Sequence, residues 1–118
     1  MKIRIITPDA VMHARLEDNP TARNFWSMLP LTLQLDDYAG TEKVSMLARR
    51  LEMDRAPDGI TPVEGDVTYY APWGNIAIYY KDFGYSPGLI KLGEITSGMA
   101  HLKFSGAKQA TIELIHTN

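Results

Sequence analysis

The sequence contains no cysteine. A thiol nucleophile, a redox dithiol, a disulfide framework and a thiolate metal site are all excluded. No apolar run approaches the roughly 18–20 residues that a membrane-spanning helix needs. The opening stretch Met1–Pro8 is interrupted by Lys2 and Arg4 and ended by Pro8, so it lacks the core of a signal peptide. An excess of basic charge is also missing: 12 Lys and Arg face 14 Asp and Glu, for a net charge of −2. Sequence-independent nucleic-acid binding needs several cationic contacts to phosphates, and such a balance disfavours it. These absences point to a soluble, cytoplasmic protein with neither a membrane nor a nucleic-acid partner.

The familiar catalytic arrangements are absent too. His13, His101 and His116 stand far apart and form no helical pair with metal-ligand spacing. No Gly-x-Ser-x-Gly elbow is present. Gly84, Gly88, Gly93 and Gly98 match neither a dinucleotide-binding fingerprint nor a phosphate loop, and read as turns and strand kinks. Asp36-Asp37 is an adjacent acidic pair. Neighbours on a strand point to opposite faces, so the pair reads as a solvated turn rather than an acid/base dyad. Arg49, Arg50 and Arg55 lie among Glu52 and Asp54 and read as mixed charged surface. No cofactor or metal is expected, and nothing in these motifs indicates an enzyme.

What is present suits one globular domain over residues 1–118, with 45% hydrophobic and 22% charged residues. Lys2–Thr7 and Val11–Leu16 alternate at period two around the turn Pro8-Asp9-Ala10, an N-terminal hairpin. Asn19 caps a helix that Pro20 opens, with Ala22, Phe25, Trp26 and Leu29 as its apolar stripe and Pro30 as its end. Leu31, Leu33 and Leu35 mark a half-buried strand, followed by a polar turn at Asp36–Gly40 and a strand at Thr41–Leu47. Ala48–Met53 fits either a strand or a helical turn, and Arg55–Gly65 reads as a surface loop. Val67–Ala71 and Ile76–Tyr80 are strands joined by Pro72-Trp73-Gly74-Asn75, the second apolar enough to be buried on both faces. After a loop at Lys81–Gly88, Leu89–Ile95 is a strand. Thr96 or Ser97 caps a short helical turn through Met99, Ala100 and Leu102, and Ala110–His116 closes the chain as a strand. The fold class is mainly β, a barrel or sandwich with one or two short helices.

One segment concentrates the aromatics. Seven of eleven fall within Tyr69–Tyr85. Paired rings across a hairpin stabilise a sheet without any ligand, and core packing suits Tyr69, Ile78 and Tyr79. Rings in loops are harder to explain by packing, and polar-tipped aromatics are common at recognition surfaces. The candidate ligand-binding residues are Tyr70, Trp73, Asn75, Tyr80, Asp82, Phe83 and Tyr85.

Several blocks carry a resemblance. They are Asn19-Pro20-Thr21-Ala22, Asp37-Tyr38-Ala39-Gly40-Thr41-Glu42-Lys43, and the run from Tyr69-Tyr70-Ala71-Pro72-Trp73-Gly74-Asn75 through Lys81-Asp82-Phe83-Gly84-Tyr85 to Leu92-Gly93. The chain resembles a family of small bacterial and archaeal proteins with a cyclophilin-like fold, described as a domain of unknown function. The resemblance implies a closed cyclophilin-like β-barrel of about eight strands with helices over its ends. Leu92-Gly93-Glu94-Ile95-Thr96-Ser97-Gly98-Met99 is also similar to the Phe-Gly-x-Val-x-x-Gly-Met stretch of true cyclophilins. Their Phe-His-Arg and Gln-Gly-Gly-Asp runs are missing. The peptidyl-prolyl isomerase arginine has no counterpart, Arg23 being the nearest guess and a solvent-facing helix residue by position. With these runs missing, and with loop aromatics beside Asn75 and Asp82, the leading expectation is a non-catalytic binding domain that uses the cyclophilin-type face for a small molecule or an extended peptide. A weak or divergent prolyl isomerase is the enzyme alternative. An accessory module of a redox flavoprotein system is a third, because relatives of this fold occur joined to flavodoxin-like domains. A barrel with aromatic loops can also self-associate, and the sequence does not fix its oligomeric state.

Overall fold

The computed structural model describes residues 1–116. Eight strands form its wall: β1 (Lys2–Thr7), β2 (Ala10–Leu16), β3 (Leu31–Tyr38), β4 (Glu42–Met46), β6 (Asp66–Tyr70), β7 (Asn75–Tyr79), β9 (Leu89–Ser97) and β10 (Lys108–Leu114). Two short strands, β5 (Gly59–Ile60) and β8 (Ser86–Pro87), pair with each other outside it. One helix, α1 (Pro20–Trp26), and one 3-10 turn (Met99–Leu102) complete the described residues. The wall closes in the order β1-β10-β3-β4-β7-β6-β9-β2, every pairing antiparallel. No helix is long and apolar enough to cross a membrane among the described residues.

Period-two alternation builds the interior. Ile3 and Ile5, Met12 and Ala14, Val67 and Tyr69, Ile76 and Ile78, and Ala110 and Ile112 each send alternate side chains inward, all essentially buried. Ala22 and Phe25 of α1 and Leu102 of the 3-10 turn join the same cluster. The β7 strand is buried at all five positions, as its continuous apolar run implies. A second, smaller cluster of Ala77, Tyr79 and Leu89 lies against Val44, Ile60 and Tyr70. It belongs to the outward rows of the same strands, and the β5–β8 pair sits beside it.

Asn19 caps α1 as its sequence position implies. Its Oδ1 accepts from the Ala22 amide at 2.8 Å, and its Nδ2 donates to the Lys91 carbonyl at 3.2 Å. Asn19→Ala is expected to lower stability by about 1 kcal/mol, read from the urea unfolding midpoint, because it orphans a helix donor and a strand carbonyl together.

Several sequence-based boundaries are corrected. The helix stops at Trp26, so Leu29 belongs to the following turn, where its amide bonds to the Trp26 carbonyl. Asp36–Tyr38 is strand, not turn. The reversal comes later, with Ala39 and Gly40 both left-handed at φ 57° and 64° and the Thr41 amide bonded to the Tyr38 carbonyl. Ala48–Met53 is neither strand nor helix. Both presumed surface loops contribute a strand, β5 and β8. Thr96 and Ser97 stay in β9, and left-handed Gly98 (φ 82°) precedes the 3-10 turn without any side-chain cap. The last strand ends at Leu114, short of His116.

Candidate binding cleft

The outward rows of β3, β4, β7 and β6 carry the site. Register sets Tyr38 beside Glu42, Glu42 beside Tyr79, Val44 beside Ala77, and Met46 beside Asn75, which in turn faces Tyr70. All of these side chains except the fully buried Ala77 line a cleft of about 530 Å³. Its walls come from turns. Trp73 projects from the β6–β7 connection, where the Gly74 amide bonds to the Tyr70 carbonyl at 2.9 Å. Its ring meets Tyr38 at 5.9 Å and Tyr70 at 5.5 Å, both edge to face. Phe83 and Tyr85 come from the loop before β8. The Phe83 amide is held by the Pro62 carbonyl at 3.1 Å, and its ring lies 6.4 Å from that of Tyr79. Trp73, Phe83 and Tyr85 are each more than half exposed although all three are large and apolar. Such rings around a concavity are unusual for a surface that binds nothing.

Two polar groups at the cleft stand out electrostatically. Asn75 is 4% exposed, its Nδ2 donates to the Ile76 carbonyl at 3.0 Å, and its buried Oδ1 has no hydrogen-bond partner. A buried acceptor left unpaired carries a desolvation penalty of about 1–3 kcal/mol. Glu42 is 9% exposed. Burial raises its carboxyl above the ordinary range, the neighbouring charge of Asp37 adds to this, and a hydrogen bond from Tyr79 partly offsets it. The Tyr79 phenol is pushed up in turn, by burial first and then by Glu42.

The sign of the Glu42 effect follows directly. Between the ordinary carboxylate value and the raised one, the folded protein holds a proton that the unfolded chain has lost. Stability from this group therefore falls as pH rises through that window. Tyr79 on β7 and Tyr38 on β3 flank it on the cleft face, and the Asp37 charge acts on it from the other face of β3. Glu42→Gln is expected to melt above the parent at pH 8 and level with it at pH 4, as measured by calorimetry. An equal gap at both values would contradict the burial account.

The opposite side of the same strands is equally polar but structural. Lys43 points inward with no exposed side-chain surface. Its Nζ donates to Asp37 Oδ1 at 3.1 Å and to the Phe104 carbonyl at 2.5 Å, and lies 3.9 Å from the Phe104 ring centre. Tyr80 donates to the same Asp37 oxygen. These bonds, Tyr80's first, hold the Asp37 carboxyl below its ordinary range. Its contribution is present above that range and is lost as pH falls through the lowered value.

Of the seven residues singled out in the sequence, the cleft brings together Tyr70, Trp73, Asn75, Phe83 and Tyr85. Tyr80 lies apart with Lys43 and Asp37. Asp82 also lies apart, its Oδ1 accepting from the Glu64 amide at 2.8 Å. The sequence reading missed Tyr38, Glu42 and Met46, and assigned Tyr79 to packing alone, although it both packs and lines the cleft. The missing signal was parity. Asn75, Ala77 and Tyr79 share one face of β7, so their partners on β4 must share it too. The arginines sit elsewhere: Arg23 pairs with Asp18, Arg55 with Asp54, and Arg50 donates to the Ala71 carbonyl at 2.6 Å. Among the described residues, no group of three or more His, Asp or Glu side chains is placed to hold a metal ion.

These features define a closed antiparallel barrel that carries its cleft on the outside of the wall. The sequence pattern of the Cyclophilin-like family matches residues 5–113, and the chain belongs to that family. Its fold is similar to the solution structure of a hypothetical protein from Archaeoglobus fulgidus, with a TM-score of 0.75. That match has 18% identity and covers 96% of this chain and 93% of the other. No match was found among curated proteins.

Proposed function

We propose that this chain is a binding domain whose outer cleft receives a small, largely apolar molecule with at least one hydrogen-bond donor. The observation that carries this reading is Asn75: buried, at the cleft, with an acceptor that nothing in the protein satisfies. The cleft volume of about 530 Å³ supports it, falling within the roughly 300–1,000 Å³ usual for small-molecule sites. The aromatic walls supply apolar contact at low entropic cost. Isomerisation of X–Pro bonds needs a donor aimed at the twisting amide. Among the described residues, no arginine, lysine or histidine lines this cleft, which favours binding over that chemistry.

The test is a titration of isotope-labelled protein with small apolar fragments and, separately, with a short Ala-Pro peptide whose cis–trans exchange is recorded. Fragment-induced shifts at Tyr70, Trp73 and Asn75, without faster peptide exchange, are the expected result. Accelerated exchange with shifts at the cleft would make the protein an isomerase with a rebuilt site. Shifts from the peptide alone would make the occupant an extended chain.

A further inference from the structure

The cleft is chemically one-sided. Asp36 and Glu42 both line it, on adjacent strands. Among the described residues it has no basic side chain to balance them, because Lys43, the nearest lysine in sequence, points through the wall to Asp37. The unpaired oxygen of Asn75 adds an acceptor, and its orientation is fixed by the bond its amide group already makes to Ile76. Trp73, Tyr38 and Tyr70 add π faces, which attract cations. The two carboxylates repel an anion, and together with the Asn75 oxygen and the ring faces they welcome positive charge or an N–H donor.

Spacing refines the inference. Glu42 and Asn75 mark opposite ends of the β4–β7 outward row, since Glu42 pairs with Tyr79 and Asn75 with Met46. Four residues of strand separate them, about 13 Å at roughly 3.3 Å per residue. Val44, packed on the buried Ala77, forms an apolar floor between the two ends. Resting on the reading of this cleft as a small-molecule site, we propose that its occupant is an elongated organic cation, with an ammonium or amidinium group at Glu42, an apolar middle, and an N–H donor at Asn75. The ion pair would be partly desolvated, and the bound positive charge would favour the ionised form of Glu42.

A matched series of alkyl probes tests this: 1,8-diaminooctane, hexylammonium, hexanol and heptanoate. Binding is read from the indole resonance of Trp73, with Trp26 on α1 as the internal reference. The expected order is diamine, then monoamine, then alcohol, with no binding of the carboxylate. Glu42→Gln is expected to weaken the two amines at least tenfold and leave hexanol unchanged. Hexanol or heptanoate binding as tightly as the amines, or amine affinity unmoved in Glu42→Gln, would overturn the cation inference while leaving the cleft a small-molecule site. Probes of every charge leaving Trp73 unmoved would overturn both.

Discussion

Replacing Gly93 with alanine is expected to destabilise the barrel by about 3 kcal/mol. Gly93 sits in the middle of β9, opposite Leu16 of β2 on one side and Val67 of β6 on the other. A methyl added there would stand 2.1 Å from the Arg15 carbonyl oxygen, and 2.9 Å from both the Arg15 carbonyl carbon and the Leu16 Cα. All three are backbone atoms of a paired strand, so no side-chain rotation relieves the clash. Relief requires β2 and β9 to separate, which breaks ladder bonds on the closed wall. Glycine in a strand interior often marks such a close approach. Gly84→Ala is the control: nothing lies within 4 Å of its added methyl, and stability should stay within about 0.5 kcal/mol of the parent. Urea unfolding of the two variants measures both. A loss below about 1 kcal/mol for Gly93→Ala would mean that the strands yield far more easily than a closed sheet should.

The second large effect concerns binding. Trp73→Ala is expected to weaken whatever ligand the cleft holds by about thirtyfold, or about 2 kcal/mol, as for a central aromatic anchor at an interface. The same change should cost at most about 1 kcal/mol of stability. Trp73 is 55% exposed, and its contacts with Tyr38 and Tyr70 are edge-on rather than buried. Calorimetric titration with the tightest fragment, beside a melting curve, separates the two. Unchanged affinity would place the ligand elsewhere. A collapsed melting temperature would make Trp73 a packing residue that happens to be visible from solvent.

Much of this architecture was legible beforehand because strand periodicity is a strong local signal. The β1–β2 hairpin, the cap at Asn19, the doubly buried β7 and the core positions Tyr69 and Ile78 all follow from residue type and spacing alone. What failed has physical causes. Asp36 and Asp37 look like turn residues because they are charged. Yet Leu31, Leu33 and Leu35 set a parity that continues through them, sending Asp37 inward to a buried lysine and Asp36 outward to the cleft. A buried Lys43 contradicts composition-based expectation, and only its triple arrangement with Asp37, Phe104 and Tyr80 explains it. At the cleft, the turn aromatics were visible as sequence outliers. Glu42 and Tyr38 were not, because nothing local distinguishes an outward strand carboxylate over a cleft from one over water. Tyr80 and Asp82 are close in sequence to the cleft residues but do not line the cleft.

The strand order also bears on how the chain is made. In the closed wall, β10 lies between β1 and β3. The hairpin of β1 and β2 and the meander of β3 and β4 emerge early during synthesis, but no earlier segment can pair with the free edges of β1 and β3. Those edges stay exposed on the nascent chain until Lys108–Leu114 leaves the ribosome. Closure of the wall therefore waits on β10, and a ribosome stalled before residue 108 would leave the β1 and β3 edges open to any neighbour able to zip onto them.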